Sequence, residues 1–73
     1  MFNRIDIIGY RDFHTSPLQF ASCPEDQEWT GNGEGVFGAV TRIDGESDAA
    51  FLARAEDLRR ELTDMAIHEE ANE

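Results

Sequence analysis

The stretch from Ser47 to His68 constrains the fold most, because its residues follow the pattern of a long amphipathic helix. Ser47 is a favoured N-cap, and Asp48 places a negative charge in the first turn, where the helix dipole favours it. No glycine or proline interrupts the apolar residues, which recur at spacings of four, three, four and three: Phe51, Ala55, Leu58, Leu62 and Met65. We therefore expect a helix over about residues 47–68, followed by a frayed acidic tail at 69–73.

The segment before residue 25 contains two short stretches with the character of β-strands. Within residues 2–13, Ile5 and Ile7 share one face, in the period of two that is typical of a half-buried strand. The apolar parity shifts beside Gly9, which predicts a bulge or a strand end that is covered on both faces. A second short strand starts at residue 18 and is expected to end at Pro24, since proline donates no hydrogen bond to a sheet.

The dipeptide Asn32-Gly33 predicts a tight β-hairpin turn, because a type I′ turn needs positive φ at both central residues. Its arms would be residues 28–30 and 36–43. In the second arm, alternation places four residues on one face: Phe37, Ala39, Thr41 and Ile43. The predicted fold is α+β: a small antiparallel sheet of two to four strands within residues 2–43, packed against one C-terminal amphipathic helix. Residues 1–73 form a single small domain.

The charge balance limits the classes of partner. Sixteen carboxylates stand against six arginines and no lysine, so the formal net charge is −10. Such a surface repels nucleic acids and anionic lipid headgroups, and we expect no direct binding to nucleic acid or membrane. A protein partner with a basic surface is the natural counterpart. The same charge also serves solubility, and this second interpretation stays open.

Few residues are available for catalysis or metal binding. Cys23, His14 and His68 are far apart in the sequence and lack the spacing of a zinc site, and nothing places them together as nucleophile and base. The glycines at 31–35 are not followed by the lysine of a phosphate-binding loop. We therefore predict no enzyme activity, no cofactor and no metal. The lone cysteine and the absence of a signal-like N-terminus favour the cytoplasm, that of the host cell if a phage encodes the protein.

Candidate partner-binding residues are the carboxylates concentrated after residue 24, together with the single tryptophan, a residue type enriched at interfaces. Asp57, Glu61 and Asp64 lie on one helical face, with neighbouring side-chain origins about 5–6 Å apart. That spacing resembles the separation of phosphates along a nucleic-acid strand, although an ordinary solvated face has the same pattern. The full set is Glu25, Asp26, Glu28, Trp29, Glu34, Asp44, Glu46, Asp48, Asp57, Glu61 and Asp64.

In its length, acidity, lack of catalytic motifs and sheet-plus-helix pattern, the chain resembles the small acidic proteins that phages and mobile elements encode against host defences, anti-CRISPR proteins among them. The resemblance is one of general type and transfers no individual residue. It implies an inhibitor that binds a basic surface of a nuclease-effector complex, covering its nucleic-acid site or locking its shape. The alternative is a structural or assembly protein that self-associates through the C-terminal helix. We expect a monomer or a weak homodimer.

Overall fold

A computed structural model describes residues 2–11 and 17–71, with the backbone alone for Glu70 and Ala71. Its elements are β1 (Arg4–Tyr10), β2 (Gln19–Pro24), β3 (Gly33–Thr41) and α1 (Asp48–Ala71). The strands form one sheet in the order β2-β1-β3, in which β1 pairs antiparallel with both neighbours. The helix packs on one face of this sheet. The predicted α+β class and the C-terminal helix are therefore confirmed.

The central strand is apolar because it is enclosed on both sides. Ile5 and Ile7 are fully buried in the core beneath α1, together with Phe51 of the helix and Phe20 of β2. Ile8 has the opposite parity and is also buried, which places it on the face turned away from the helix, the outer face of the sheet. The predicted shift in parity thus marks a strand that is covered on both faces.

The irregularities that accompany this shift lie in β3. Ile7 of β1 is paired with Gly38 and Ile8 with Val36, so Phe37 is an extra residue in the register. This bulge brings the Phe37 ring over Gly9. A Cβ atom added at Gly9 would lie 2.4 Å from Cε1 of Phe37. Because the bulge resets the alternation, Phe37 does not share a face with Ala39 and Thr41 as predicted, and Ile43 lies beyond the end of β3.

The predicted hairpin at Asn32-Gly33 is wrong. Residues 28–32 form no strand, and Gly33 begins β3 opposite Tyr10 of β1. Since β2 and β3 both run antiparallel to β1, residues 25–32 must connect opposite ends of the sheet, and they do so over its outer face. Trp29 from this crossover packs on Tyr10, with ring centroids 5.5 Å apart. Burial of apolar surface on the outer face therefore overrides the local turn preference.

The ends of the elements agree with the predictions in part. β2 ends at Pro24, as predicted, and its position at the sheet edge permits the proline. Ser47 is the predicted N-cap, and its Oγ accepts a hydrogen bond from the Ala50 N–H at 3.2 Å. The helix extends to Ala71, beyond the predicted end at about residue 68. Met65 is 59% exposed, and Ala66 takes its place in the buried stripe.

Candidate protein-binding surfaces

Ion pairs within the chain determine which carboxylates are left for a partner. Each of the six arginines is paired with a carboxylate: Arg4 with Asp6, Arg11 with Glu34, Arg42 with Asp48, Arg54 with Glu46, and both Arg59 and Arg60 with Glu56. The permanently charged cations are therefore all engaged within the chain. Among the described residues, the excess negative charge belongs to carboxylates that have no arginine partner.

Three of the predicted binding residues are among these pairs, and one of them has a structural role. Glu46 accepts two hydrogen bonds from Arg54, each of 2.7 Å, and a third from the backbone N–H of Ile43 at 3.2 Å. The hydrogen bonds from Arg54 lower the pKa of Glu46 from its usual value, against an opposing effect of burial. Its side chain is only 9% exposed, so Glu46 holds the turn before α1 and offers little surface to a partner. The other two predicted binding residues that form ion pairs are Glu34, with Arg11, and Asp48, with Arg42.

The acidic row on α1 has no such partners. Asp57, Glu61 and Asp64 are exposed, and none of them forms an ion pair with an arginine of the described chain. Their spacing of four and three residues places them along one side of the helix, as predicted. Arg59 and Arg60 share the single negative charge of Glu56, so one positive charge in this part of the helix remains against the three carboxylates of the row. The row is the largest continuous set of unpaired carboxylates among the predicted residues.

A second group of predicted residues lies on the crossover, in the layer opposite the helix. Glu25 accepts a hydrogen bond of 2.6 Å from the backbone N–H of Asn3, and so is partly engaged in holding the crossover. Asp26 and Glu28 are exposed, with no ion pair among the described residues. Asp44 is likewise exposed, in the turn after β3. The eleven predicted residues therefore occupy separate surfaces and do not form one site.

Trp29 is both a packing residue and a residue that is accessible to a partner. Its ring packs on Tyr10 and lies close to Gly31 and Gly33, where an added Cβ would be 2.9 Å and 3.0 Å from indole atoms. The side chain is nevertheless 36% exposed. Trp29 thus covers the outer face of the sheet and presents its remaining edge to solvent.

An apolar groove that was not predicted lies between the sheet and the C-terminal half of α1. Its volume is 220 Å³, and its lining residues are Leu18, Phe20, Phe37, Leu62, Met65, Ala66 and Glu69. The helical spacing assigned Met65 to the core, and strand alternation gave no sign of the bulge that directs Phe37 into this space. No sequence signal for the groove was available, because it depends on where the helix and the sheet diverge.

The groups considered for catalysis are not brought together in the described residues. Cys23 is a free, half-buried cysteine whose Sγ lies 3.6 Å from the carbonyl oxygen of Gln27. His68 is exposed near the end of α1, and the prediction for His14 lies outside the described residues. Over residues 2–11 and 17–71, no three His, Cys, Asp or Glu side chains group as ligands of a metal ion.

Comparison of the chain with protein-family models, curated proteins and solved structures gives no match. No helix in the described part of the chain has the length and apolar character needed to cross a membrane. The fold and its surfaces define a small α+β domain whose only described helix carries an acidic row, with no ion pair to another described residue, beside an open apolar groove.

Proposed function

We propose that this protein is a binding protein whose helical acidic row docks on a basic surface of a protein partner and blocks it. The observation that carries the proposal is the separation of charge: every arginine has a carboxylate partner within the chain, while Asp57, Glu61 and Asp64 are exposed and form no ion pair among the described residues. Carboxylates without internal partners keep their full attraction for an external cation.

The geometry of the row supports a particular class of partner. Neighbouring side-chain origins at about 5–6 Å along one helical face offer negative charges at a spacing similar to that of nucleic-acid phosphates. A groove that binds nucleic acid is lined with cations spaced to meet phosphates. We therefore propose a nucleic-acid-binding protein as the partner, a CRISPR effector complex being one example, with the row occupying the site of the nucleic acid.

The proposal is tested by affinity capture with the immobilised protein from a lysate of the cells that carry it. We expect partners with basic surfaces to be retained at about 0.1 M salt and released at about 1 M, where the Debye length falls to about 3 Å. Retention that does not change with salt contradicts docking by charge. Partners displaced by an added oligonucleotide identify the surface as a nucleic-acid site, whereas partners that resist displacement contradict the proposed mimicry.

Reversal of the row provides the matched variant. Asp57→Lys, Glu61→Lys and Asp64→Lys together should abolish capture, with an unchanged circular dichroism spectrum because all three side chains are exposed. Capture that survives the reversal contradicts the assignment of this face.

Self-association through the helix stripe is the alternative function. It requires an apolar helix face that is free, but Phe51 and Ala55 of the stripe are buried within the chain. Light scattering at several concentrations tests this alternative directly. A monomer at every concentration contradicts it, whereas a stable dimer that Met65→Gln and Ile67→Gln dissociate supports it.

A further inference from the structure

The apolar groove beneath the second half of α1 has the size and preorganisation of a receptor for one side chain. A cavity of about 150 Å³ is enough to admit a benzene ring, so the 220 Å³ of this groove accommodates a leucine or phenylalanine side chain. It is smaller than the roughly 300–1,000 Å³ of sites for drug-sized ligands. The groove therefore suits an anchor residue better than a small-molecule substrate.

Two walls of the groove are apolar and open to solvent. Phe37 is 45% exposed and Met65 is 59% exposed. The Phe37 ring is held by an edge-to-face contact with Phe20, at a centroid distance of 5.3 Å, and by its position over Gly9. Because this wall is fixed before binding, a ligand pays little ordering cost to use it.

The border of the groove is acidic. Glu69 belongs to its lining. Glu61 is four residues before Met65, so on the helix surface it adjoins the apolar wall that Met65 forms. On its other side it adjoins Asp57 and Asp64, which makes the acidic row and the groove one continuous surface.

This charge pattern selects the occupant. A second copy of the chain would bring Glu61, Asp64 and Glu69 close to the same carboxylates, with every arginine already paired. Anionic lipid headgroups and nucleic acids are repelled because they carry the same sign of charge. A polypeptide that carries both apolar and cationic side chains satisfies the two parts of the surface together.

We propose that the groove binds an apolar anchor residue from a cationic amphipathic segment of the partner protein, while the basic residues of that segment contact Glu61, Asp64 and Glu69. The inference rests on the proposed function and adds to it: charge brings the partner to the row, and the groove selects a segment with an apolar face.

The test uses a fluorescein-labelled synthetic helical peptide with leucines along one face and lysines along the other. A peptide of the same composition in scrambled order is the control for charge. Burial of one leucine side chain predicts that the ordered peptide binds roughly 10- to 100-fold more tightly than the scrambled one. Equal affinity of the two peptides overturns the groove assignment and leaves docking by charge unaffected. Failure of both to bind overturns the inference, while partner capture still tests the proposed function separately.

Two variants locate the binding on the helix. Met65→Gln removes the apolar wall, and Ile67→Gln is its matched control, because Ile67 is 52% exposed but does not line the groove. We expect Met65→Gln to reduce the affinity for the ordered peptide to that for the scrambled one, and Ile67→Gln to leave it unchanged. Equal effects of the two variants overturn the proposal. So does a Met65→Gln variant that melts at a lower temperature but binds as the wild type does, because the groove then serves packing within the chain.

Discussion

At the residue scale, Arg42 and Arg54 hold the junction between β3 and α1. Both guanidinium groups lie over the ring of Phe51, at 4.6 Å and 5.9 Å from its centroid. Arg42 also donates hydrogen bonds to the carbonyl oxygens of Phe2 and Glu46, at 3.2 Å and 3.1 Å. The two cations thus connect the N-terminal segment, the turn and the helix around one buried aromatic side chain.

We predict that Glu46→Gln lowers the melting temperature at neutral pH, because it removes the carboxylate that Arg54 binds. Hydrogen bonds from Arg54 hold the pKa of Glu46 below its ordinary value of 4.5 in the folded state. The ion pair therefore stabilises the fold fully above that value, and its contribution is lost as the pH falls through the lower folded-state value. Thermal unfolding followed by circular dichroism should show a difference in melting temperature between wild type and variant, and this difference should narrow below pH 4.5.

Asp44→Asn is the matched control for this prediction. Asp44 is exposed in the same turn, and no ion pair joins it to another described residue. We expect its melting temperature at neutral pH to stay close to that of wild type. A gap for Glu46→Gln that is constant from neutral to acidic pH would contradict the role assigned to the ion pair.

Gly9 is a second residue whose identity the packing requires. A Cβ atom here would lie 2.4 Å from Cε1 of Phe37, so we predict that Gly9→Ala destabilises the fold by about 1–3 kcal/mol. The same change in a Phe37→Ala background should cost little, because the ring that causes the clash is absent. Urea unfolding of the four proteins measures this coupling. An equal cost in both backgrounds would show that the clash is not the cause.

At the element scale, the crossover distinguishes this fold from a simple meander of hairpins. Asp6 pairs with Ala39, and Ile7 pairs with Gly38. Neighbouring antiparallel pairs alternate between hydrogen-bonded and non-hydrogen-bonded geometry, and the Hα atoms are close in the non-hydrogen-bonded pair. One of these two pairs should therefore show a strong NOE between its Hα protons. A hairpin centred on Asn32-Gly33 would instead connect residues 29 and 30 with residues 36 and 35. Observation of the second set would contradict the crossover.

The sequence was sufficient for the elements whose signals are local. The period of the apolar residues located α1, and Ser47 marked its beginning, because both depend on neighbours within one helical turn. The crossover was missed because packing of Trp29 on Tyr10 joins residues 19 positions apart, and no local rule weighs that contact against an Asn-Gly turn.

For the candidate surfaces too, local features could be predicted from the sequence and features that depend on tertiary contacts could not. The acidic row followed from helical spacing alone. The pairing that removes Glu34, Glu46 and Asp48 from the free carboxylates depends on which arginines the fold brings near them. The groove at Phe37 and Met65 depends on the bulge in β3 and on the separation between the helix and the sheet. Neither feature can be predicted from a residue pattern.

At the scale of the whole molecule, the net charge of −10 is unevenly distributed over the surface. The arginines are engaged in pairs, so the field outside the protein is shaped by carboxylates on the helix and on the crossover. Such a field speeds the approach of a basic partner and makes association sensitive to salt. The acidic row and the adjoining groove then supply the contacts that follow approach.

The most direct test of the central claim is quantitative affinity capture with two variants of equal charge. One carries Asp57→Asn, Glu61→Gln and Asp64→Asn in the helical row; the other carries Asp26→Asn and Glu28→Gln on the crossover and Asp44→Asn in the turn after β3. At about 0.1 M salt the Debye length is about 10 Å, so attraction by the row is retained. We predict that the helix variant loses most of the captured partner, roughly tenfold or more, while the second variant retains it. Equal losses in both variants would show that net charge alone is responsible and would contradict a binding face on α1.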